Sequence, residues 1–227
     1  MDEFNIQPMI AQSLMDDETE FIPLLTSDDD ENINSFKIPK ELPLLPLKNT
    51  VLFPGVVIPI TVGRDKSIKL IQEAYRKDKI IAVVSQKDNT QEEPAFHDLN
   101  MIGSVGVIMK VLRMPDGNTT VIIQGKKRFE LLEMVEEDPF FKGKVKLIED
   151  IPVQKDDNHF EALLSTIKDL AAQIIQLSPN FPSEATMILK NIESPLFLVN
   201  FVGSNLNIEL QEKQGLLEIN GVKEKAE

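Results

Sequence analysis

The chain has 227 residues, 42% of them apolar, a formal net charge of −13, and neither Cys nor Trp. That length and apolar content suffice for one large domain or two small ones with a buried core, while the lack of cysteine excludes disulfides and thiolate metal sites and fits a reducing compartment. The first residues lack the basic region of a signal peptide, and no apolar run approaches the roughly 18–20 residues of a membrane helix, so a soluble cytoplasmic chain is expected.

The charge is unevenly placed. Ten of the 37 acidic residues lie in 1–36, which holds no Lys or Arg, so the remaining 27 nearly balance the 24 basic residues. A nearly neutral body argues against the phosphate electrostatics of nucleic-acid binding. Residues 1–38 form an acidic leader with two apolar islands, 9–15 and 21–25. Dense charge and sparse apolar content predict disorder, as either a solvated tail or a peptide that folds on a partner. Its Asp28-Asp29-Asp30-Glu31-Asn32 run suggests a calcium loop, but Ile33 and Pro39 stand where the loop needs Gly and Glu.

From residue 41 the pattern becomes β. Two apolar extended runs, 42–47 and 56–62, flank Pro54-Gly55, where Pro presets φ and Gly accepts the positive φ of a type II turn. Prolines 43, 46 and 59 confine these runs to strand starts, edges or bulges. A helix is predicted over 65–77, capped by Asp65, with Ile68, Ile71, Ala74 and Tyr75 on one face. Residues 80–85 read as a strand buried on both faces. From 101 the pattern is antiparallel, with Val105, Val107, Met109 and Val111 sharing a face, a hairpin turn at 114–117 and a return over 119–124. Strands at 128–135 and 141–148 follow. In the latter, Lys142, Lys144 and Lys146 mark a wet face and would blunt an exposed edge.

After Pro152 the period changes to 3.6. Phe160, Leu163, Leu164, Ile167, Leu170, Ala171, Ile174 and Ile175 form a helical stripe beginning at Asp156 or Asp157. Further helices are predicted over 183–191, 194–204 (Ser cap, Pro at the first position) and 208–218. Residues 221–227 open a helix with no stop signal, which points to a piece of a longer protein. The expected divisions are a leader over 1–38, a β-lobe with one helix over 39–152, and a helical lobe over 153–227.

Catalytic patterns do not assemble. There is no phosphate loop, no G-x-G-x-x-G and no G-x-S-x-G, and His97 and His159 are too far apart in sequence for a metal-ligand motif. Ser165-Thr166-Ile167-Lys168 is a literal S-x-x-K, but it falls inside an amphipathic helix, without the S-D-N and K-T-G partners that such chemistry uses. Lys126-Lys127-Arg128, the one dense basic cluster, reads as a solvated strand end.

Four segments in order carry a family resemblance. The run over 42–55, L-P-L-L-P-L-K-N-T-V-L-F-P-G, resembles the opening signature of the amino-terminal, substrate-binding domain of the ATP-dependent Lon protease family. The stretch 102–108 is similar to that family's I-G-x-x-x-x-I strand. Met114-Pro115-Asp116-Gly117 followed by Gly125-Lys126-Lys127-Arg128-Phe129 is similar to its P-D-G hairpin and G-x-x-R strand. Glu212-Lys213-Gln214-Gly215-Leu216-Leu217-Glu218 resembles its E-K-Q-x-L-L-E segment, with Gly215 and Met114 in place of the usual Glu and Leu. The resemblance implies an α+β fold: a PUA-like β-barrel lobe, then an all-helical lobe. It also implies a non-catalytic domain that captures unfolded or damaged proteins for an AAA+ ring and a serine–lysine peptidase lying outside this chain. Accordingly no cofactor is expected here, ATP and Mg belonging to the ATPase, and the partners are unfolded substrates and other subunits of a homo-oligomer, a hexamer. A stand-alone adaptor and a PUA-like RNA-binding module are the alternatives. For substrate contact, the turn tips offer Phe53 and Pro54 at one place and Met114 and Pro115 at another, although Phe53 can equally pack beneath its own turn.

Overall fold

The computed structural model describes residues 38–113, 119–153, 157–177 and 184–227. The leader up to residue 37 and the 114–117 turn, with Met114 and Pro115, therefore lie outside the described residues. Among the described residues six strands form one mixed sheet: β1 (Glu41–Leu47), β2 (Val57–Val62), β3 (Ile80–Ser85), β4 (Ile102–Arg113), β5 (Thr119–Glu136) and β6 (Lys142–Ile148). The order is β2-β5-β4-β3-β1-β6, and β6 also pairs with β5. Five strands thus close into a barrel, and β2 hangs on the outer end of β5. The β1–β3 pair is parallel; helix α1 (Asp65–Arg76) lies on the crossover between them.

The Pro54-Gly55 turn forms as expected. Gly55 has φ of 82°, and Val56 N donates to Phe53 O at 3.2 Å. Pro59 lies on β2, which among the described residues is an edge strand paired with β5 alone. Pro43 and Pro46 lie inside the sheet, where β1 divides its pairing: residues 41–43 face β6 and residues 44–47 face β3.

Several local expectations change. Arg64, not Asp65, is the N-cap of α1, and Asp65 sits in its first turn, where a carboxylate favours the helix dipole. The predicted strands at 119–124 and 128–135 are one 18-residue strand. Gly125, between the two, marks a close approach: a Cβ there would lie 2.2 Å from Phe53 O. In β4, Val105 is buried but Met109 is 44% exposed, because register shifts at 104/106 and 108/110 interrupt the alternation. Finally, β6 is not an edge. Its lysines instead meet β5 carboxylates, Lys146 to Glu130, Lys144 to Glu133 and Lys142 to Glu136. Spacings of three on β5 and two on β6 match because β5 bulges between 131 and 133 and between 134 and 136. These exposed pairs contribute little, about 0–1 kcal/mol each.

Helices α2 (Asn158–Leu177), α3 (Glu184–Lys190), α4 (Pro195–Asn205), α5 (Leu210–Glu218) and α6 (Val222–Ala226) follow the barrel. Asp157 caps α2 through Phe160 N at 3.0 Å, and Ser194 caps α4 through Phe197 N. Packing crosses from strands to helices. Leu217 of α5 belongs to the same buried cluster as Leu52, Phe53 and Ile123, while Ala171, Ile175, Leu189 and Leu198 form a separate helical core.

The junction is polar and buried. Arg128, expected at a solvated strand end, is 0% exposed. Its Nη1 donates to Leu217 O at 2.9 Å and Ile219 O at 3.0 Å, capping the C-terminal carbonyls of α5. Its Nη2 lies 2.8 Å from Asp150 Oδ1. The reversal has a simple cause: residue 128 sits mid-strand between β4 and β6, so its side chain enters the interior beneath the docked helices. Gln214 of α5 accepts from Ser85 Oγ at 2.7 Å and donates to Ile102 O at 3.0 Å. Asn200 of α4 donates to Pro54 O at 3.1 Å. Lys225 of α6 is buried, with Nζ 3.3 Å from Asn200 Oδ1. Burial first, and the Arg128 charge second, push its ammonium down to about 8, against an opposing pull from Asp150.

Two outcomes follow from this packing. Gly125→Ala is expected to cost about 3 kcal/mol in urea denaturation, because the contact is with backbone that has no rotamer to change. Lys225 binds its proton more weakly folded than unfolded, so stability should rise with pH between about 8 and the unfolded lysine value of about 10.4. Lys225→Met should flatten that rise relative to the parent chain, as read from denaturation midpoints across the window.

Candidate substrate-binding cleft

A cleft of about 480 Å³ opens beside the N-terminal turn of α1, within the range of small binding pockets. Three loops shape it: residues 64–67 entering α1, residues 92–95 between β3 and β4, and residues 137–141 between β5 and β6. Leu44, Pro46, Leu70, Phe140 and Phe141 line its apolar part. Phe140 is 1% exposed and belongs to the core beneath α1, whereas Phe141 is half-buried.

The rim is charged. Arg64 donates to Gln86 Oε1 at 2.6 Å, and Gln86, wholly buried, donates to Gln91 O at 3.1 Å. This relay holds the 86–92 loop against the start of α1. Burial lowers the Arg64 pKa, opposed by Glu92 and Glu93. On the far side Lys66 pairs with Asp138 at 2.9 Å, donates to Glu137 O at 3.2 Å, and lies 5.5 Å from the centre of the Phe141 ring. Lys48 pairs with Glu92. The result is an apolar floor, suited to weak binding of apolar side chains, inside a charged rim where the carboxylates of Asp65, Glu92, Glu93 and Glu137 outnumber the cations of Arg64 and Lys66.

The turn-tip residues sit elsewhere. Phe53 is 0% exposed in the barrel core and Pro54 is buried, so neither presents an apolar surface. The turn that carries them docks on Gly125, with Gly55 N donating to Gly125 O at 2.9 Å, and α4 covers it through Asn200. No pattern in the sequence distinguishes a turn tip in water from one beneath a helix. The cleft residues escape sequence reasoning because they come from three distant loops. Phe140-Phe141 is the visible signal, two aromatics in succession where alternation allows one inward side chain.

Ser165 is exposed, and Lys168 Nζ donates to Ile192 O at 2.6 Å and toward Lys190 O. That lysine caps the end of α3 and serves no nucleophile. His97 and His159 are both exposed. Among the described residues no helix is long and apolar enough to cross a membrane.

Comparison with known proteins agrees with the motifs. The family described as ATP-dependent protease La (LON) substrate-binding domain matches residues 41–227. A Lon protease of Flavobacterium johnsoniae is 56% identical over 211 residues, covering 93% of this chain and 26% of the relative. One from Cytophaga hutchinsonii is 44% identical, over 91% of this chain and 26% of the relative. The chain thus spans about a quarter of these proteins. Among solved structures, the N-terminal domain of Mycobacterium avium complex Lon protease superposes with a TM-score of 0.66 at 20% identity, covering 82% of this chain and 94% of that one. A Lon N-terminal domain protein from Xanthomonas campestris gives 0.56 at 17% identity, with the same coverage. Motifs, barrel topology and relatives agree, and the chain belongs to the Lon protease substrate-binding domain family.

Proposed function

We propose that this chain is the non-catalytic receiving domain of an ATP-dependent serine protease of the cytoplasm, and that it captures unfolded or damaged proteins for an AAA+ ring. The ATPase and the serine–lysine peptidase, with their ATP and Mg, belong to the remaining three quarters of the parent protein. That protein works as a homo-oligomer, a hexamer. The match of nearly the whole chain to full-length Lon proteases carries the reading.

A mechanism follows from the cleft. An unfolded chain exposes apolar side chains, and the Phe141 wall accepts one without demanding a sequence. The apolar floor is small, and Lys66 and Glu92 on its rim are already paired, so binding stays weak and the segment can leave toward the ring. Nothing favours nucleic acid, since the one dense basic cluster loses Arg128 to the interior.

Phe141→Ser tests the site. Retention of a permanently unfolded casein by the purified chain should weaken roughly tenfold, a loss of ~1.4 kcal/mol, with the melting temperature lowered by a few degrees at most. Unchanged retention would remove the cleft from substrate capture.

A further inference from the structure

The cleft beside α1 carries an unbalanced charge. Asp65, Glu92, Glu93 and Glu137 stand on its rim against Arg64 and Lys66. Ion pairing does not restore the balance, because it adds Lys48 beside Glu92 and Asp138 beside Lys66, so five carboxylates face three cations. The two lining cations are also engaged. Lys66 is held by Asp138 and by the Glu137 carbonyl, and Arg64 by the Gln86 side-chain oxygen. Asp65 lies in the first turn of α1, where it answers the helix dipole that would otherwise draw an anion into the cleft. Glu93 and Glu137 are different. Both are exposed, they come from two separate loops, and among the described residues neither enters an ion pair.

We propose that this rim gives the cleft a charge preference: among unfolded segments it takes those in which an apolar side chain is flanked by lysine or arginine. The apolar side chain sits on the floor of Leu44, Leu70 and Phe141, and the flanking cations lie toward Glu93 and Glu137. This inference deepens the reading of the cleft as the capture site and rests on it. Charge acts over distance and needs no fixed donor geometry, so the preference is for a class of composition and not for a sequence. The chain's own leader is the competing occupant, since its apolar islands at 9–15 and 21–25 have the content to cover the floor. Its charge is wrong for that place: residues 1–36 hold ten acidic side chains and no Lys or Arg, and the rim repels them. Charge complementarity therefore selects a basic segment from another protein.

The strength of the preference is bounded by exposure. Ion pairs in water are individually weak, so two carboxylates change affinity by roughly five- to tenfold at low salt. Near 1 M salt, where the Debye length is about 3 Å, the preference disappears. A bias of this size enriches basic segments without rejecting neutral ones, and it leaves release fast.

Three fluorescent peptides test this against the full chain by anisotropy. One is residues 16–31 of the leader, where the apolar run 21–25 lies between acidic side chains. The other two carry glutamine or lysine at every acidic position of that peptide. The lysine peptide should bind roughly five- to tenfold more tightly than the glutamine peptide at low salt, and the leader peptide most weakly. Because the leader itself attracts any basic peptide, two variants of equal net charge locate the effect. Glu93→Gln with Glu137→Gln should abolish most of the preference, whereas Asp28→Asn with Asp29→Asn should leave it intact. A preference that survives the first pair of substitutions, or that falls equally with the second, overturns the proposal. So does a leader peptide that binds as tightly as the lysine peptide. Phe141→Ser separates this inference from the reading beneath it. If all three peptides bind the parent chain equally and Phe141→Ser weakens all three, the capture site stands and the charge preference falls. If Phe141→Ser changes none of them, the cleft is not the capture site and both fall.

Discussion

The two halves of this fold meet around one buried guanidinium. Arg128 leaves the middle of β5, meets Asp150 just beyond β6, and donates to the last carbonyls of α5. Each partner alone would be costly to bury. Unpaired carbonyls at a helix end need donors, and a lone buried charge needs a counterion. Their convergence makes docking of the helices conditional on closure of the barrel, because Arg128 reaches α5 only from a strand fixed on both sides by β4 and β6. Lys225, pushed toward neutrality by burial and by Arg128 itself, adds a second cation beside one carboxylate. The last helix is consequently the electrostatically least comfortable part of the junction.

The other family-specific segments converge on the same seam. The turn of the opening signature lies under α4 through Asn200 and against β5 through Gly125. Gly103, in the I-G segment, has no room for a Cβ, which would lie 2.2 Å from Val83 O. Its neighbour Ile102 offers the carbonyl that Gln214 binds. Gln214, Leu216 and Leu217, from the final motif, supply the hydrogen bonds and apolar contacts that seat α5. The residues that identify the family are thus largely those that assemble barrel and helices into one body.

This explains what the sequence made legible. Element type and order followed from period-two and period-3.6 patterning, and the positive φ at Gly55 from turn chemistry alone. Errors gathered where tertiary contacts decide. Lys142, Lys144 and Lys146 have the alternation of an edge strand, and only β5, bulged twice, reveals that they pair across a closed barrel. Arg128 follows two lysines and gives no local sign of burial. For Phe53 the sequence left exposure at the turn tip and packing beneath it equally open, and the buried side chain is the second of these, with α4, far along the chain, covering the turn. Burial imposed by remote chain leaves no trace in local periodicity.

Substrate contact should then be sought away from the motifs. Capture of many unrelated chains, the role proposed above, cannot rely on a few precisely placed donors, since these would reject most of them. It needs apolar surface of modest size, which the floor of the Phe141 cleft supplies.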